Sequence, residues 1–272
     1  MVAIGQVDPA AAQAAVASSS ARLTSLLRSA TRPSAPALGE WDLTDVAVHL
    51  SHAVDGVTAM AKGGGPLLED IGQLPLLTGA LVRGEAERSL AAVADRMDAS
   101  VVDFLGVVRA GRAEERRVWL VDGVELTLTN LTCHVLNELI VHGHDIAVAN
   151  GVPWPIERSH AALVLCGFLF PAMDGLGRAL VDQDEAGELR AGLDVRLRGG
   201  GRAFLRFDHG DLSVEPSPPG PADCHLSVDP ATFLLVAWGR KSQWPAILRG
   251  QLLAWGRRPW LGARLRALLQ NP

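Results

Sequence analysis

The chain has 272 residues, of which 48% are hydrophobic, and a formal net charge of -5 at pH 7. That length and apolar content allow one large packed domain or two ordinary ones. The acidic balance and the scattered arginines argue against nucleic acid as a partner, since binding a phosphate backbone requires clustered cations.

The first part of the sequence predicts helices with clear start signals. Asp8 followed by Pro9 is typical of a helix N-terminus, and this helix is expected to run to about residue 30. Asp42 and Asp45 resemble a capping box that opens a second helix. The stretch from residue 63 to about residue 83 is rich in Leu, Pro and Gly, and we interpret it as a long loop that forms part of a lid.

A third amphipathic helix is predicted from about residue 85 to residue 109, where apolar residues recur at helical spacing. Asp122 and Gly123 predict the turn of a short hairpin. A fourth helix follows and ends at Asn150 and Gly151. Four antiparallel helices predict a bundle, whose inward-facing residues can build a metal site.

The pattern changes after one more predicted helix over residues 160–180. Residues 193–198 alternate between apolar and polar, which predicts a half-buried strand, and further short strands and helices follow it. The expected fold class is α+β. We predict a four-helix bundle domain over residues 1–183 and a small α+β domain with an antiparallel sheet over residues 184–272.

Three side chains on the predicted apolar helix faces form the ligand set of an open metal site. Glu138 and His142 are four residues apart, so they stack on one face of the fourth helix. His49 lies on the hydrophobic stripe of the second helix. Two imidazoles and one carboxylate suit zinc or another borderline divalent metal, with a position left for water or substrate. His52 lies on a more polar strip, and we interpret it as a residue behind the ligands or at the surface.

The same residues allow other interpretations. A Glu-x-x-x-His pair is common in helices, so Glu138 and His142 can be an ordinary ion pair and His49 a hydrogen-bonded core histidine. His134 lies one turn before Glu138 and can replace His49 in a site built from a single helix. Asp145, three residues after His142, can hydrogen-bond that histidine, as carboxylates often do for metal ligands.

Two segments of the chain resemble one family. Residues 39–50, Gly-Glu-Trp-Asp-Leu-Thr-Asp-Val-Ala-Val-His-Leu, are similar to the Trp-x-x-x-Asp-Val-x-x-His-Leu motif of the DinB-like superfamily, specifically of the mycothiol-dependent maleylpyruvate isomerase family. Residues 137–147 resemble that family's Glu-Leu-Val-Val-His-Gly-Trp-Asp-Leu-Ala stretch, with His144 in place of the Trp. The resemblance covers nearly the whole chain, because the C-terminal part is similar to the family's small sterol-carrier-like domain.

The resemblance implies a reaction and roles for named residues. It implies that His49, Glu138 and His142 bind the metal and that mycothiol is the thiol cosubstrate. Residues 234–240 match the family's Gly-Arg motif, which implies that Arg240 faces the substrate and pairs with its carboxylate. The implied reaction is addition of the thiolate to a conjugated double bond, rotation about the resulting single bond, and elimination, which gives cis-trans isomerisation.

Several features predict a cytoplasmic protein. The longest apolar stretch, residues 161–171, is far shorter than the ~20 residues that span a bilayer, and the N-terminus lacks the pattern of a signal peptide. Cys133, Cys166 and Cys224 are widely spaced and form no Cys-x-x-Cys pair, which indicates a reducing compartment. Lysine occurs only twice among 25 basic residues, which together with the alanine and glycine content indicates a GC-rich coding bias. Such a bias is typical of actinobacteria, the organisms that make mycothiol.

Two other functions stay open at this point. One is a mycothiol S-transferase of the same architecture that acts on another electrophile. The other is a non-catalytic protein whose C-terminal domain binds an apolar ligand and whose metal is structural or absent. The expected partners are a carboxylate-bearing small-molecule electrophile and a low-molecular-weight thiol, without nucleic acid or a membrane, and the expected state is a monomer or a dimer.

Overall fold

The computed structural model describes residues 7–270. It contains two compact units, which divide between Ile156 and Glu157. Each unit has its own core.

The N-terminal unit is built around a helical bundle, as predicted. Its helices are α1 (Pro9–Ser29), α2 (Leu43–Ala61), α3 (Leu74–Gly84), α4 (Leu90–Ala110) and α5 (Leu128–Asn150). Helices α1 and α2 each pack against both α4 and α5, so these four helices enclose one core. Leu23, Leu50, Phe104 and Leu136 come from the four different helices and are fully buried in it.

Side-chain caps place the helix ends where the sequence indicated. The carboxylate of Asp8 accepts a hydrogen bond from the Ala10 amide at 3.0 Å and begins α1. Asp42 and Asp45 form a reciprocal capping box at the start of α2. Gly151 ends α5 in a left-handed conformation with φ 77°, which glycine adopts without steric cost. These caps fix the starting point of α2 and therefore the direction in which its histidines project.

The segment predicted to be a lid loop is largely helical, so that prediction was wrong. A 3₁₀ turn over Ile71–Gln73 leads directly into α3, which packs on α2. Pro75 lies in the first turn of α3. A proline there removes only an N–H group that has no partner within the helix, so it starts a helix instead of breaking one. The next helix, α4, begins with Ser89 as its cap, a few residues later than predicted.

The hairpin before α5 turns at a different residue from the one predicted. Its strands are β3 (Arg116–Trp119) and β4 (Val121–Thr127), and two short strands, β1 (Pro36–Leu38) and β2 (Trp41–Asp42), precede α2. The turn falls at Leu120, with φ 51°, while Gly123 lies within β4. The Leu120 carbonyl accepts hydrogen bonds from the amides of Leu67 and Leu68 at 2.7 and 2.9 Å. These contacts from outside the hairpin stabilise the turn at Leu120.

The C-terminal unit contains a five-stranded sheet with the order β7-β6-β5-β8-β9. Its strands are β5 (Arg190–Leu197), β6 (Arg202–Asp208), β7 (Asp211–Glu215), β8 (Cys224–Val228) and β9 (Leu252–Trp255). Three of the pairings are antiparallel, but β5 and β8 run parallel. The predicted antiparallel sheet is therefore mixed, because the chain after β7 returns to the free edge of β5 instead of pairing with β7.

The helices of this unit lie before, between and after the strands. They are α6 (Arg158–Val164), α7 (Phe170–Leu176), α8 (Gln183–Ala186), α9 (Pro230–Ala237), α10 (Gln243–Leu248) and α11 (Trp260–Arg264). Helix α6 packs on α9, and α7 packs on β7. The segment from residue 158, which we assigned to the first domain, therefore packs with the sheet of the second unit.

A continuous helical segment from Arg158 to Leu180 is longer than the apolar stretch of residues 161–171 seen in the sequence. It has 23 residues and a mean hydropathy of 1.4 in its most apolar window, so by length and composition alone it is able to cross a membrane. Of that window, 56% is buried inside the protein. The buried core helix of a globular unit meets the same criterion, so the segment is weak evidence for a membrane span.

Two helix glycines, Gly143 next to the candidate ligand His142 and Gly106 in α4, differ in the space around them. Alanine substitutions at the two positions are therefore predicted to have opposite effects on stability. A Cβ added to Gly143 in α5 overlaps the Trp154 indole ring, whereas one added to Gly106 in α4 meets no atom within 4 Å. We expect Gly106→Ala to stabilise the protein by about 0.5–1 kcal/mol through helix propensity. Gly143→Ala gains the same term but incurs an overpacking cost of about 1–3 kcal/mol. Thermal unfolding of the two variants should therefore shift in opposite directions, and a rise for both contradicts the packing described.

Candidate metal centre

His49 on α2 and the pair Glu138 and His142 on α5 meet between these two packed helices. His142 Nε2 lies 3.5 Å from Glu138 Oε2, and His49 Nε2 lies 3.8 Å from the same oxygen. One ligand atom from each residue lies within 4.8 Å of the other two. Zinc bonds of about 2.0–2.1 Å in a tetrahedron place ligand atoms about 3.3–3.4 Å apart, so a small inward movement allows the three atoms to share one ion.

The three side chains are nearly buried but still reach solvent. Their exposed fractions are 12% for His49, 13% for Glu138 and 11% for His142. A buried setting strengthens electrostatic interactions with whatever binds there. Part of each side chain therefore remains in contact with solvent.

The electrostatics of the cluster favour a cation. Burial raises the pKa of Glu138, but hydrogen bonds from His134 and His142 outweigh it and hold that pKa well below its ordinary value. Burial also opposes protonation of His142, but its contacts with Asp145 and Glu138 prevail and raise the pKa of His142 to about 9. The carboxylates of Glu138 and Asp145 therefore stabilise the protonated, positively charged form of His142. A divalent ion competes with that proton, because a metal-bound imidazole nitrogen is deprotonated.

Asp145 holds His142 in the orientation that a ligand needs. Its Oδ2 atom lies 3.0 Å from His142 Nδ1, and its side chain is only 4% exposed. With Nδ1 directed at this carboxylate, Nε2 faces Glu138 and His49. The partner on the far nitrogen fixes the ring orientation and raises the basicity of a ligating histidine.

His52, the other histidine singled out on α2, faces a different cluster. Its Nε2 atom lies 3.3 Å from Glu85 Oε2. Arg96 donates hydrogen bonds to the same carboxylate oxygen at 2.6 Å and to Ser51 Oγ at 2.8 Å. His52 therefore takes part in a polar cluster with Glu85 on the side of α2 that faces α4.

Arg240 belongs to the C-terminal unit and follows the end of α9. Its backbone amide donates to the Leu235 carbonyl at 2.8 Å, and its Nη1 atom donates to the Trp238 carbonyl at 2.7 Å. These bonds satisfy carbonyl groups at the helix end, a common role for a cation in that position.

Two tryptophans, neither predicted from the sequence to have a role, contact His49 and His134. The ring centroids of Trp41 and His49 are 5.0 Å apart, so the indole packs against that imidazole. Trp119 Nε1 donates a hydrogen bond to His134 Nδ1 at 3.2 Å. Trp41 was visible as part of the motif around His49, whereas no spacing connects Trp119 with α5.

The three cysteines are buried thiols. Burial raises the pKa of Cys166 to about 12 and also raises the pKa of Cys224. Cys133 lies within α5 and has no exposed surface. Because the thiolate is the nucleophilic form of cysteine, none of the three combines access with reactivity.

The fold and the cluster define a class of protein, a helical bundle with a buried His-His-Glu set in one unit and a mixed sheet in the other. Residues 8–147 match the family described as Mycothiol maleylpyruvate isomerase N-terminal domain. The chain belongs to this family. Residues 177–256 match the SCP-2 sterol transfer family.

Two solved structures are similar to nearly the whole chain. They are a crystal structure of the mycothiol-dependent maleylpyruvate isomerase, with 12% identity and a TM-score of 0.54, and one of a mutant of that enzyme, with 11% identity and a TM-score of 0.55. Each alignment covers 93% of this chain and 95% of the other. At this identity they show a shared fold. A search of curated proteins found no match.

Proposed function

We propose that this protein is a metal-dependent enzyme that uses mycothiol to isomerise maleylpyruvate or a related carboxylate-bearing electrophile. The observation that carries the proposal is the convergence of His49, Glu138 and His142, with ligand atoms within 4.8 Å of one another, in a chain of this family. Three protein ligands leave a coordination position for a further group, which is typical of catalytic rather than structural zinc sites.

The proposed ligands are His49 Nε2, His142 Nε2 and Glu138 Oε2, with zinc as the expected metal. A divalent cation beside a thiol favours the thiolate, the reactive form at neutral pH. Asp145 keeps His142 oriented, and the burial of all three ligands limits the access of water. The three buried cysteines support an external source for the sulfur nucleophile.

The proposed reaction needs no change in oxidation state. The thiolate sulfur bonds to one carbon of the conjugated double bond, whose electrons move toward the neighbouring carbonyl. The former double bond then rotates as a single bond, and breaking the same carbon–sulfur bond restores the alkene in the trans form and returns the thiol. We assign to Arg240 the binding of a substrate carboxylate, a group that a guanidinium binds through two parallel hydrogen bonds.

The direct test is an assay of purified zinc-loaded protein with maleylpyruvate, in the presence and absence of mycothiol. We expect formation of the trans isomer only when mycothiol is present, and its loss after metal removal. Equal rates with and without mycothiol contradict the proposal. Consumption of mycothiol with a different electrophile, but no isomerisation, supports the S-transferase alternative instead.

Arg240→Lys tests the role of the C-terminal unit. Lysine keeps the positive charge but loses the planar pair of donors, so a two-point contact with a carboxylate is weakened. We expect metal content and thermal stability to stay unchanged while kcat/KM falls by about one to two orders of magnitude, in line with the loss of one charge-assisted hydrogen bond. Steady-state kinetics at saturating mycothiol measure this. Unchanged values of kcat and KM contradict a role of Arg240 in substrate binding and leave it a structural role at the end of α9.

The match of residues 177–256 to the SCP-2 sterol transfer family favours a second candidate, a protein whose C-terminal unit binds an apolar ligand. In that case the metal is structural or absent. Binding of a fluorescent fatty acid by a protein that is inactive with mycothiol supports this candidate over the enzyme.

A further inference from the structure

The two oxygens of Glu138 have different surroundings. Oε2 faces the two candidate ligand nitrogens, His142 Nε2 at 3.5 Å and His49 Nε2 at 3.8 Å. Oε1 accepts a hydrogen bond from Asn137 Nδ2 at 3.2 Å and lies 3.5 Å from His134 Nε2. One oxygen therefore faces protein donors, and the other faces the candidate ligand nitrogens of His49 and His142.

Trp119 decides which nitrogen of His134 carries a proton. The indole N–H is a donor only, and it points at His134 Nδ1 at 3.2 Å. Nδ1 must therefore be an unprotonated acceptor, which places the proton of the neutral imidazole on Nε2. That proton faces Glu138 Oε1. Trp119, His134 and Glu138 thus form a directed chain of donors that ends on the oxygen away from His49.

This arrangement also excludes His134 as a metal ligand. A histidine binds a metal through a nitrogen lone pair. The lone pair of Nδ1 is occupied by the Trp119 N–H, and Nε2 carries a proton. His134 is buried, with 8% of its surface exposed, so exchanging these partners requires a rearrangement of the hairpin that holds Trp119.

On the basis of the metal site proposed above, we propose that Trp119 and His134 are positioning residues that hold Oε1 of Glu138, so that Glu138 binds the ion through Oε2 alone. Single-oxygen binding keeps the protein's contribution at three ligand atoms and leaves the remaining position open for a thiol. Outer partners of this kind typically change metal affinity by about 10–100-fold when they are removed.

The experiment measures the affinity of the full-length protein for Co²⁺, by competition with a chromophoric chelator, and records the visible absorption of the bound Co²⁺. Asparagine and glutamine at position 134 form the informative pair, because a glutamine amide reaches the place of Nε2 and an asparagine amide does not. We expect His134→Asn to weaken Co²⁺ binding by about 10–100-fold, and His134→Gln to stay within a few-fold of the wild type. Trp119→Phe should weaken binding by a smaller factor.

The matched control for Trp119→Phe is Trp154→Phe. The Trp154 indole donates a hydrogen bond at 3.1 Å to the carbonyl of Ile140, which lies on α5, the helix that carries His134. This control should lower thermal stability without changing Co²⁺ affinity. Wild-type affinity in both His134→Asn and Trp119→Phe overturns the inference. A change in the Co²⁺ spectrum of His134→Asn that matches loss of a nitrogen ligand also overturns it. Failure of the wild-type protein to bind Co²⁺ refutes instead the proposed function on which the inference rests.

Discussion

Replacing His142 by alanine should abolish tight metal binding and, with it, mycothiol-dependent activity. The variant loses one of three ligand atoms. Removal of a residue that only hydrogen-bonds a ligand lowers metal affinity by about 10–100-fold, so the loss for His142→Ala should be larger. His49→Ala should have the same effect on metal content, because its Nε2 atom lies across the cluster from α5. Elemental analysis of the purified variants measures both results.

His142→Ala should also destabilise the metal-free protein. His142 is the cationic partner of Glu138 and Asp145, which lie 3.5 and 3.0 Å from its two nitrogens. Its removal leaves two nearly buried carboxylates without that partner. Removing one member of a buried ion pair typically lowers the free energy of unfolding by about 3–5 kcal/mol. His52→Ala is the matched control on α2, since His52 faces Glu85, and it should retain the metal. Full metal content in both His142→Ala and His49→Ala contradicts the ligand assignment.

The second large effect is expected in the C-terminal unit, at Asp194 in β5. Its side chain has no exposed surface and accepts hydrogen bonds from Arg202 Nε at 2.6 Å, from Arg196 Nε at 2.8 Å and from His225 Nδ1 at 2.8 Å. Burial raises the pKa of Asp194, but these three partners outweigh it and lower the pKa from 3.8 to about 2. The carboxylate is therefore bound more strongly in the folded unit than in the unfolded chain.

The sign of the pH dependence follows from that shift. The stabilisation is complete above the unfolded pKa of 3.8 and is lost as the pH falls toward the folded value of about 2. A difference of nearly two pKa units corresponds to roughly 2–3 kcal/mol. We expect Asp194→Asn to lower the free energy of unfolding by about this amount at pH 7, and to remove the part of the acid dependence that lies between the two values.

Hydrogen exchange of the β5 amides as a function of pH measures this effect in the unit concerned. Asp208→Asn is the matched control, because the Asp208 carboxylate is 53% exposed and pairs with Arg190 at 3.1 Å on the same sheet. An exposed pair of this kind contributes about 0–1 kcal/mol. An acid dependence of Asp194→Asn that equals that of the wild type contradicts the assignment.

The elements predicted best from sequence are those whose signals are local. The caps at Asp8 and Asp42 and the left-handed glycine at Gly151 act on neighbouring residues, and the structure confirms the helix ends they predict. The spacing of Glu138 and His142 is also a local property of a helix. The proximity of His49 depends on how α2 packs on α5. The sequence indicated it through the apolar stripe that carries His49 and through the family resemblance, and no residue spacing fixes it.

The errors arose where distant contacts decide the local conformation. The turn of the β3–β4 hairpin lies at Leu120, where amides from residues 67 and 68 bind, and not at the more favourable Asp122 and Gly123. Strand β9 was missed because Leu252–Trp255 shows no alternation of apolar and polar residues, and its pairing with β8 defines it as a strand. The contact of Trp119 with His134 has the same origin, since the hairpin carries Trp119 to α5.

The proposed function requires the His49, Glu138 and His142 site to bind an external thiol as its thiolate. The most direct measurement is the number of protons released when mycothiol binds, obtained by calorimetry near neutral pH in buffers of different ionisation enthalpy. For zinc-loaded protein we predict release of one proton for each mycothiol bound, because the free thiol is largely protonated at this pH. Binding of mycothiol with no proton release, or the same release by metal-free protein, contradicts the claim.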